Sequence, residues 1–118
     1  MSPTAKLPTA VIVGAVTYTV TADPADWVVL GRADLLGHCD HNLALILLNP
    51  TSAPDVLRLT LWHEVLHAAI NAAAGSPPWK HLGGSKEHRE ETVVRRLESP
   101  TLMVLRDNPD LAAYLVAS

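Results

Sequence analysis

The run LWHEVLHAAI, residues 61–70, constrains this chain more than any other stretch, because it has to meet two demands at once. Leu59, Leu61, Trp62, Val65, Leu66, Ala68, Ala69 and Ile70 read as one buried helix. His63, Glu64 and His67 interrupt it. Burying two imidazoles and a carboxylate without partners costs roughly 2 kcal/mol or more per group, so the helix must turn this trio onto a cleft where the groups meet one another or an ion. TSAPD supplies the helix start, with Ser52 or Thr51 as the expected cap and Pro54 and Asp55 in the first turn, and Gly75 supplies its stop. The spacing predicts a helix over 54–74.

On that helix His63 and His67 are four residues apart, so their rings lie one turn apart on one face and can converge on a single cation. Glu64 lies about 100° around the helix surface and can reach a water beside the ion without becoming a ligand, the placement a general base needs. This is the H-E-x-x-H spacing of zinc hydrolases, and a shuffled chain of this composition would match it about 1% of the time. A catalytic zinc takes three protein ligands and keeps a fourth position open. The third ligand has to come from another segment, because Ala73 occupies the position where the longest form of the motif has a third histidine, and Ile70 stands where that form has glycine. His81, Glu87, His88, Glu90 and Glu91 are the candidates. Of these, Glu90 and Glu91 come one turn before Val93, Val94 and Leu97, the expected buried face of a helix opening at Ser85, and either can sit at the edge of that face.

The rest of the chain frames this helix. With 118 residues and 48% apolar composition, residues 1–118 form one α+β domain with its own core. AVIVGAVTYTVT, residues 10–21, predicts a strand or hairpin with Gly14 as bulge or turn, and its alternation fits a strand better than a secretion leader. Residues 23–42 mix turn formers with short apolar runs, and LALILL, residues 43–48, reads as a second strand paired on at least one side. Residues 75–85 are a loop without periodicity, with Gly83 and Gly84 as a hinge or tight turn that can gate the cleft. Pro100 either kinks or ends the third helix, and residues 101–108 and 110–118 add helical pieces.

Nine Lys and Arg spread along a chain of net charge −3 leave no basic footprint, so a nucleic-acid partner is not expected. No apolar run approaches the roughly 20 residues of a spanning helix, so no membrane partner is expected either. The single Cys39 rules out an internal disulfide and a four-cysteine ribbon, and fits a cytoplasmic setting.

TLWHEVLHAAI followed by EETVVRRLESPTLMVLRDNPDLAAYL resembles small phage-encoded zincin-like proteins, related to the SprT-like and ImmA/IrrE-type metallopeptidases. GHCDHNLALILLNP resembles the strand ahead of their motif helix, and together these stretches cover about the last 80 residues. The resemblance implies a minimal zincin-like domain, a small N-terminal sheet packed on the motif helix with further helices behind it. It implies a zinc peptidase of gluzincin type, with His63, His67 and Glu91 as metal ligands, Glu91 being the glutamate three residues before the core position Val94. Glu90, before Val93, competes for that role. Glu64 is the implied general base for a zinc-activated water, a peptide or protein the implied substrate, paired along residues 43–48, and a bacterium or infected host cell the implied setting. His81, His88 and Tyr114 are candidates for oxyanion stabilisation. The chain lacks the cysteine-rich ribbon of many SprT-like domains and the DNA-binding regions of ImmA/IrrE-type regulators. The alternative is a non-catalytic, zinc-stabilised phage assembly or interaction protein. It would need a closed fourth ligand, for which His38, Cys39 and His41 are the nearest source, although with Asp40 and Asn42 they also read as turn chemistry.

Overall fold

The β-branched stretch of residues 10–21 folds as a hairpin. β1 (Ala10–Val13) and β2 (Val16–Thr21) pair antiparallel around Gly14, whose φ of +61° is the left-handed geometry of a tight turn. The structure, a computed structural model, describes residues 6–75 and 79–117. Residues 76–78 of the expected hinge loop lie outside the described residues, as do residues 1–5 ahead of the hairpin.

Residues 23–42, with their turn formers and short apolar runs, contain two further elements. Asp23 accepts the backbone N–H of Ala25 at 2.8 Å and so caps α1 (Pro24–Leu30), which Gly31 stops in a left-handed conformation. β3 (Gly37–Asp40) follows, then β4 (Leu45–Leu48). The sheet order is β1-β2-β4-β3, with β4 parallel to β2 and antiparallel to β3.

β4 is thus an interior strand. Ile46 and Leu48 face the core, Leu47 is buried on the other face towards α1, and burial on both faces explains an unbroken apolar run. The same fact corrects an expectation. A substrate peptide cannot add along residues 43–48, because both sides of β4 are already hydrogen-bonded to strands. The free edge on this side of the sheet belongs to β3.

α2 (Pro54–Ala73) covers the sheet and ends one residue before the expected limit. Its cap position is Ala53, whose methyl group cannot accept a hydrogen bond. Thr51, an expected cap, instead donates its hydroxyl to the Asn49 side-chain oxygen at 2.7 Å. α2 buries Thr60, Leu61, Glu64, Val65, Ala68 and Ala69. These fall within about half of the helix circumference, and His63 and His67 lie just beyond its edge.

Ser85 caps α3 (Lys86–Asp107) by accepting the N–H of His88 at 3.1 Å. The helix runs through Pro100 and includes the piece after it, and the Thr101 hydroxyl bonds the Leu97 carbonyl at 2.6 Å in the same turn. Val93 and Val104 are buried and Leu97 packs on the core, but Val94 is 52% exposed, contrary to expectation. Positions 93, 97 and 104 fall within about 40° of one another on a helix, whereas 94 stands about 100° from 93. α4 (Pro109–Val116) adds Leu111 and Tyr114 to the core. Among the described residues no helix is long and apolar enough to cross a membrane.

The buried side chain of Asn108, at the α3–α4 junction, joins the helices to the sheet. Its oxygen accepts the N–H of Ile12 at 2.9 Å, and its nitrogen donates to the carbonyls of Ile12 at 3.0 Å and Val104 at 2.7 Å. It pairs with β1 much as a neighbouring strand would. Asn108→Ala strands these backbone groups and should lower stability by about 1–3 kcal/mol. Urea unfolding followed by circular dichroism should show a lower midpoint at unchanged slope, and an unchanged midpoint would dismiss the clamp.

Candidate metal-binding cleft

The motif residues meet where β3 crosses α2. Register places Gly37 opposite Leu48 and Cys39 opposite Ile46, so Gly37 and Cys39 share the sheet face that looks at the helix. The approach is close. A Cβ at Gly37 would stand 2.6 Å from the Thr60 methyl, 3.3 Å from Glu64 Cγ and 3.3 Å from the Leu47 carbonyl oxygen. Asn49, buried at the end of β4, donates to the Leu35 carbonyl at 3.0 Å while its backbone N–H bonds the Leu36 carbonyl at 2.9 Å, which fixes the segment entering β3.

Under this strand the side chains of His63 and His67 converge. Their Nε2 atoms lie 3.1 Å apart and the rings meet edge-on at 73°. Two imidazole nitrogens on a tetrahedral zinc, each at roughly 2.0–2.1 Å, stand about 3.3 Å apart, so this pair has the separation of two ligands to one ion. Both rings are exposed, whereas Glu64 between them is only 7% exposed. Its carboxylate makes no hydrogen bond with another described residue, yet no buried side-chain oxygen or nitrogen among those residues is sealed off without a partner. The carboxylate oxygens therefore reach cleft water.

Two hollows flank Glu64. One, of about 350 Å³, has Leu36, Thr60 and His63 in its wall; the other, of about 320 Å³, has Gly37, Cys39, His41 and His67. A larger, mostly apolar cavity of about 580 Å³ lies between Trp62 and Leu115, but none of the polar trio lines it, and its charged lining residues, Asp55 and Arg58, are paired with each other. In the second hollow the Cys39 thiol is pushed up to about 12, by burial first and then by the negative charges of Glu64 and Asp40. Burial, with a smaller contribution from Cys39, also raises the Tyr18 hydroxyl. Both groups keep their protons at neutral pH. Both face the same atom, His41 Nδ1, Tyr18 Oη at 3.1 Å and Cys39 Sγ at 3.7 Å.

The remaining candidate ligands are elsewhere. Glu91 Oε1 accepts the Arg95 Nε–H at 3.0 Å on the exposed side of α3. Position 91 stands about 160° from Val93, so with Val93 rather than Val94 buried, Glu91 turns away from the core side of its helix. Glu90 borders a hollow with Trp79, Lys86 and Arg89. Glu87 and His88 occupy the exposed first turn of α3, the His88 ring lying over Gly84, and the His81 ring lies beside Gly75 past the end of α2. Tyr114 is buried in the core, its ring 6.0 Å from the Arg58 guanidinium. His63, Glu64 and His67 are thus together, and Glu91 is paired outside their cleft. Among the described residues no three His, Cys, Asp or Glu side chains stand close enough to hold one ion. The histidine pair fits a metal; the three-ligand set is not assembled.

No signal in the sequence marks Gly37 or Tyr18 as part of this cleft. A glycine opening a short polar strand carries no sign of contact with a helix more than twenty residues on, and Tyr18 reads as an ordinary strand residue. The chain matches no family description, no curated protein and no solved structure.

Two outcomes follow from this packing. Gly37→Ala drives a methyl into Thr60 and should cost about 1–3 kcal/mol, read as a lowered thermal midpoint; full stability in this variant would mean that β3 does not lie so close to α2. In metal-free native protein at pH 8, iodoacetamide should alkylate Cys39 at least about a hundredfold more slowly than in urea, because little of it is thiolate. Equal rates would show the thiol unprotected.

Proposed function

We propose that this chain is a zinc-dependent peptidase in which His63 and His67 hold the ion and Glu64 is the general base. The observation that carries the reading is the 3.1 Å separation of the two Nε2 atoms beside a nearly buried carboxylate that reaches cleft water. Imidazole donors of this kind suit zinc among the common divalent ions. The order of elements, a small sheet, the motif helix and then two more helices, accords with the zincin-like arrangement that the resemblance implies.

His63 and His67 would hold the ion, which when bound would supply Lewis acidity for a peptide carbonyl and for water near neutral pH. The protein's own groups do the rest. Glu64 takes the proton from the attacking water and delivers it to the departing amine. Its low exposure removes competing solvent and strengthens its charge interactions inside the cleft. The free edge of β3 borders the cleft, so an extended substrate can pair with that strand and lay a carbonyl over the histidine pair. The third ligand that the resemblance implies, Glu91, would have to release Arg95 and turn towards α2 to take part. The setting consistent with this reading is the cytoplasm of a bacterium or of an infected cell.

One observation favours the non-catalytic alternative, a zinc-stabilised phage assembly or interaction protein. Cys39 and His41 line the same hollow as His67, so β3 brings further donor types to the motif helix, and a fourth protein ligand would close the site to water.

The variants Glu64→Gln and His63→Ala separate these outcomes. Zinc content by mass spectrometry and cleavage of an unfolded casein substrate should show that Glu64→Gln keeps its metal and loses activity by about 10²-fold or more, and that His63→Ala loses both. Full activity in Glu64→Gln overturns the assigned base, and a zinc-loaded wild type without hydrolysis points to the structural alternative.

A further inference from the structure

We propose that the third protein ligand is His41, contributed by the turn after β3, and that Tyr18 orients it. The inference rests on the metal-binding reading above and changes where the ion's third donor comes from. Three observations carry it. His41 lines the same hollow as His67 and Glu64. Both of its hydrogen-bond partners, Tyr18 Oη and Cys39 Sγ, meet it at Nδ1, so Nε2 is the nitrogen left for an ion. Glu91, the alternative donor, is paired with Arg95 on the far side of its helix from the buried Val93.

The arrangement is the one that metal-binding histidines use. A ligating imidazole gives its second N–H to a fixed acceptor, which sets the tautomer and aims the other nitrogen. The Tyr18 hydroxyl is such an acceptor. It belongs to a buried residue of β2, so its position is held by the sheet while His41 stands exposed on the turn. The turn is itself braced, since the Asp40 carboxylate accepts the Leu43 N–H at 3.0 Å and the Thr19 N–H bonds the Ala44 carbonyl at 2.9 Å. His41 is not yet within reach of an ion shared with His63 and His67. Its ring has to pivot about the Nδ1–Tyr18 Oη contact, which carries Nε2 towards the pair while the orienting bond is kept. Cys39 is not the donor. Its Sγ instead meets His41 Nδ1 at 3.7 Å, on the ring nitrogen that also faces Tyr18. With His63, His67 and His41 as ligands, Glu64 is free to act as base and the fourth position stays open.

The test is metal binding, read without reference to turnover. Zinc and cobalt(II) are titrated into the apo forms of the wild type, His41→Ala, His41→Gln, Tyr18→Phe, Cys39→Ser and Glu91→Ala, each checked for folding by circular dichroism. The His41 variants should bind zinc at least about a hundredfold more weakly, and Tyr18→Phe about tenfold more weakly, as removal of an orienting partner does. Cys39→Ser and Glu91→Ala should stay within about threefold of wild type. The cobalt spectrum should be tetrahedral without a thiolate charge-transfer band. Weakened binding in Glu91→Ala, unchanged binding in both His41 variants, or a thiolate band overturns the proposal. A wild type that binds no metal overturns it together with the peptidase reading, whereas a His41-dependent metal site without peptide hydrolysis leaves it standing and removes only that reading.

Discussion

The close crossing of β3 over α2 is the contact on which the rest of the cleft depends. Only a residue without a side chain lets the strand pass this near Thr60 and Glu64, and Gly37 supplies it. The closeness produces the two properties that chemistry needs here. It removes most solvent from Glu64, and it brings the donor-rich segment after Gly37 alongside the exposed edge of the motif helix. A strand held a few ångströms further out would leave a hydrated carboxylate on an ordinary surface helix. In that setting a neighbouring ion or substrate would act on it through water rather than through protein, and charge interactions would weaken accordingly.

α2 itself has to serve two sides. Leu61, Val65, Ala68 and Ala69 fill the space against Val11, Val13, Ile46 and Leu48, and Glu64 sits at the edge of that packed stripe rather than across from it. Leu61, Ala68 and Ala69 are all fully buried, so the large and the small side chains of this stripe are equally enclosed. A core packed on one flank of the helix fixes its rotation. That rotation decides that His63 and His67 emerge at the cleft border and not inside the core.

Two buried asparagines hold the frame at its ends. Asn49 fixes the chain entering β3, and Asn108 fixes the α3–α4 junction to β1. Each uses both ends of its amide, so neither brings an unpaired polar atom into the interior. Such amides are more directional than apolar contacts, which tolerate sliding. They give a small domain a unique arrangement of elements that its core volume alone would specify less tightly.

Much of this was legible locally. The spacing of His63, Glu64 and His67, the hairpin around Gly14, the helix before Gly75 and the Ser85 cap all depend on neighbours within a few residues, where helical and strand periods act directly. The side of α3 that faces the core was not legible. Val93 and Val94 are equally apolar, and the choice between them, which carries Glu91 to or from the motif helix, is made by packing against elements distant in the chain. Nor was the interior place of β4, since an apolar run shows that a strand is buried without showing which strands flank it. By itself the sequence determined that two imidazoles and a carboxylate share one stretch of helix, because 3.6 residues per turn permit nothing else. Only the tertiary structure decided what stands opposite them: Gly37, Cys39 and His41 rather than Glu91, because strand order and helix rotation are settled by contacts that no local pattern encodes.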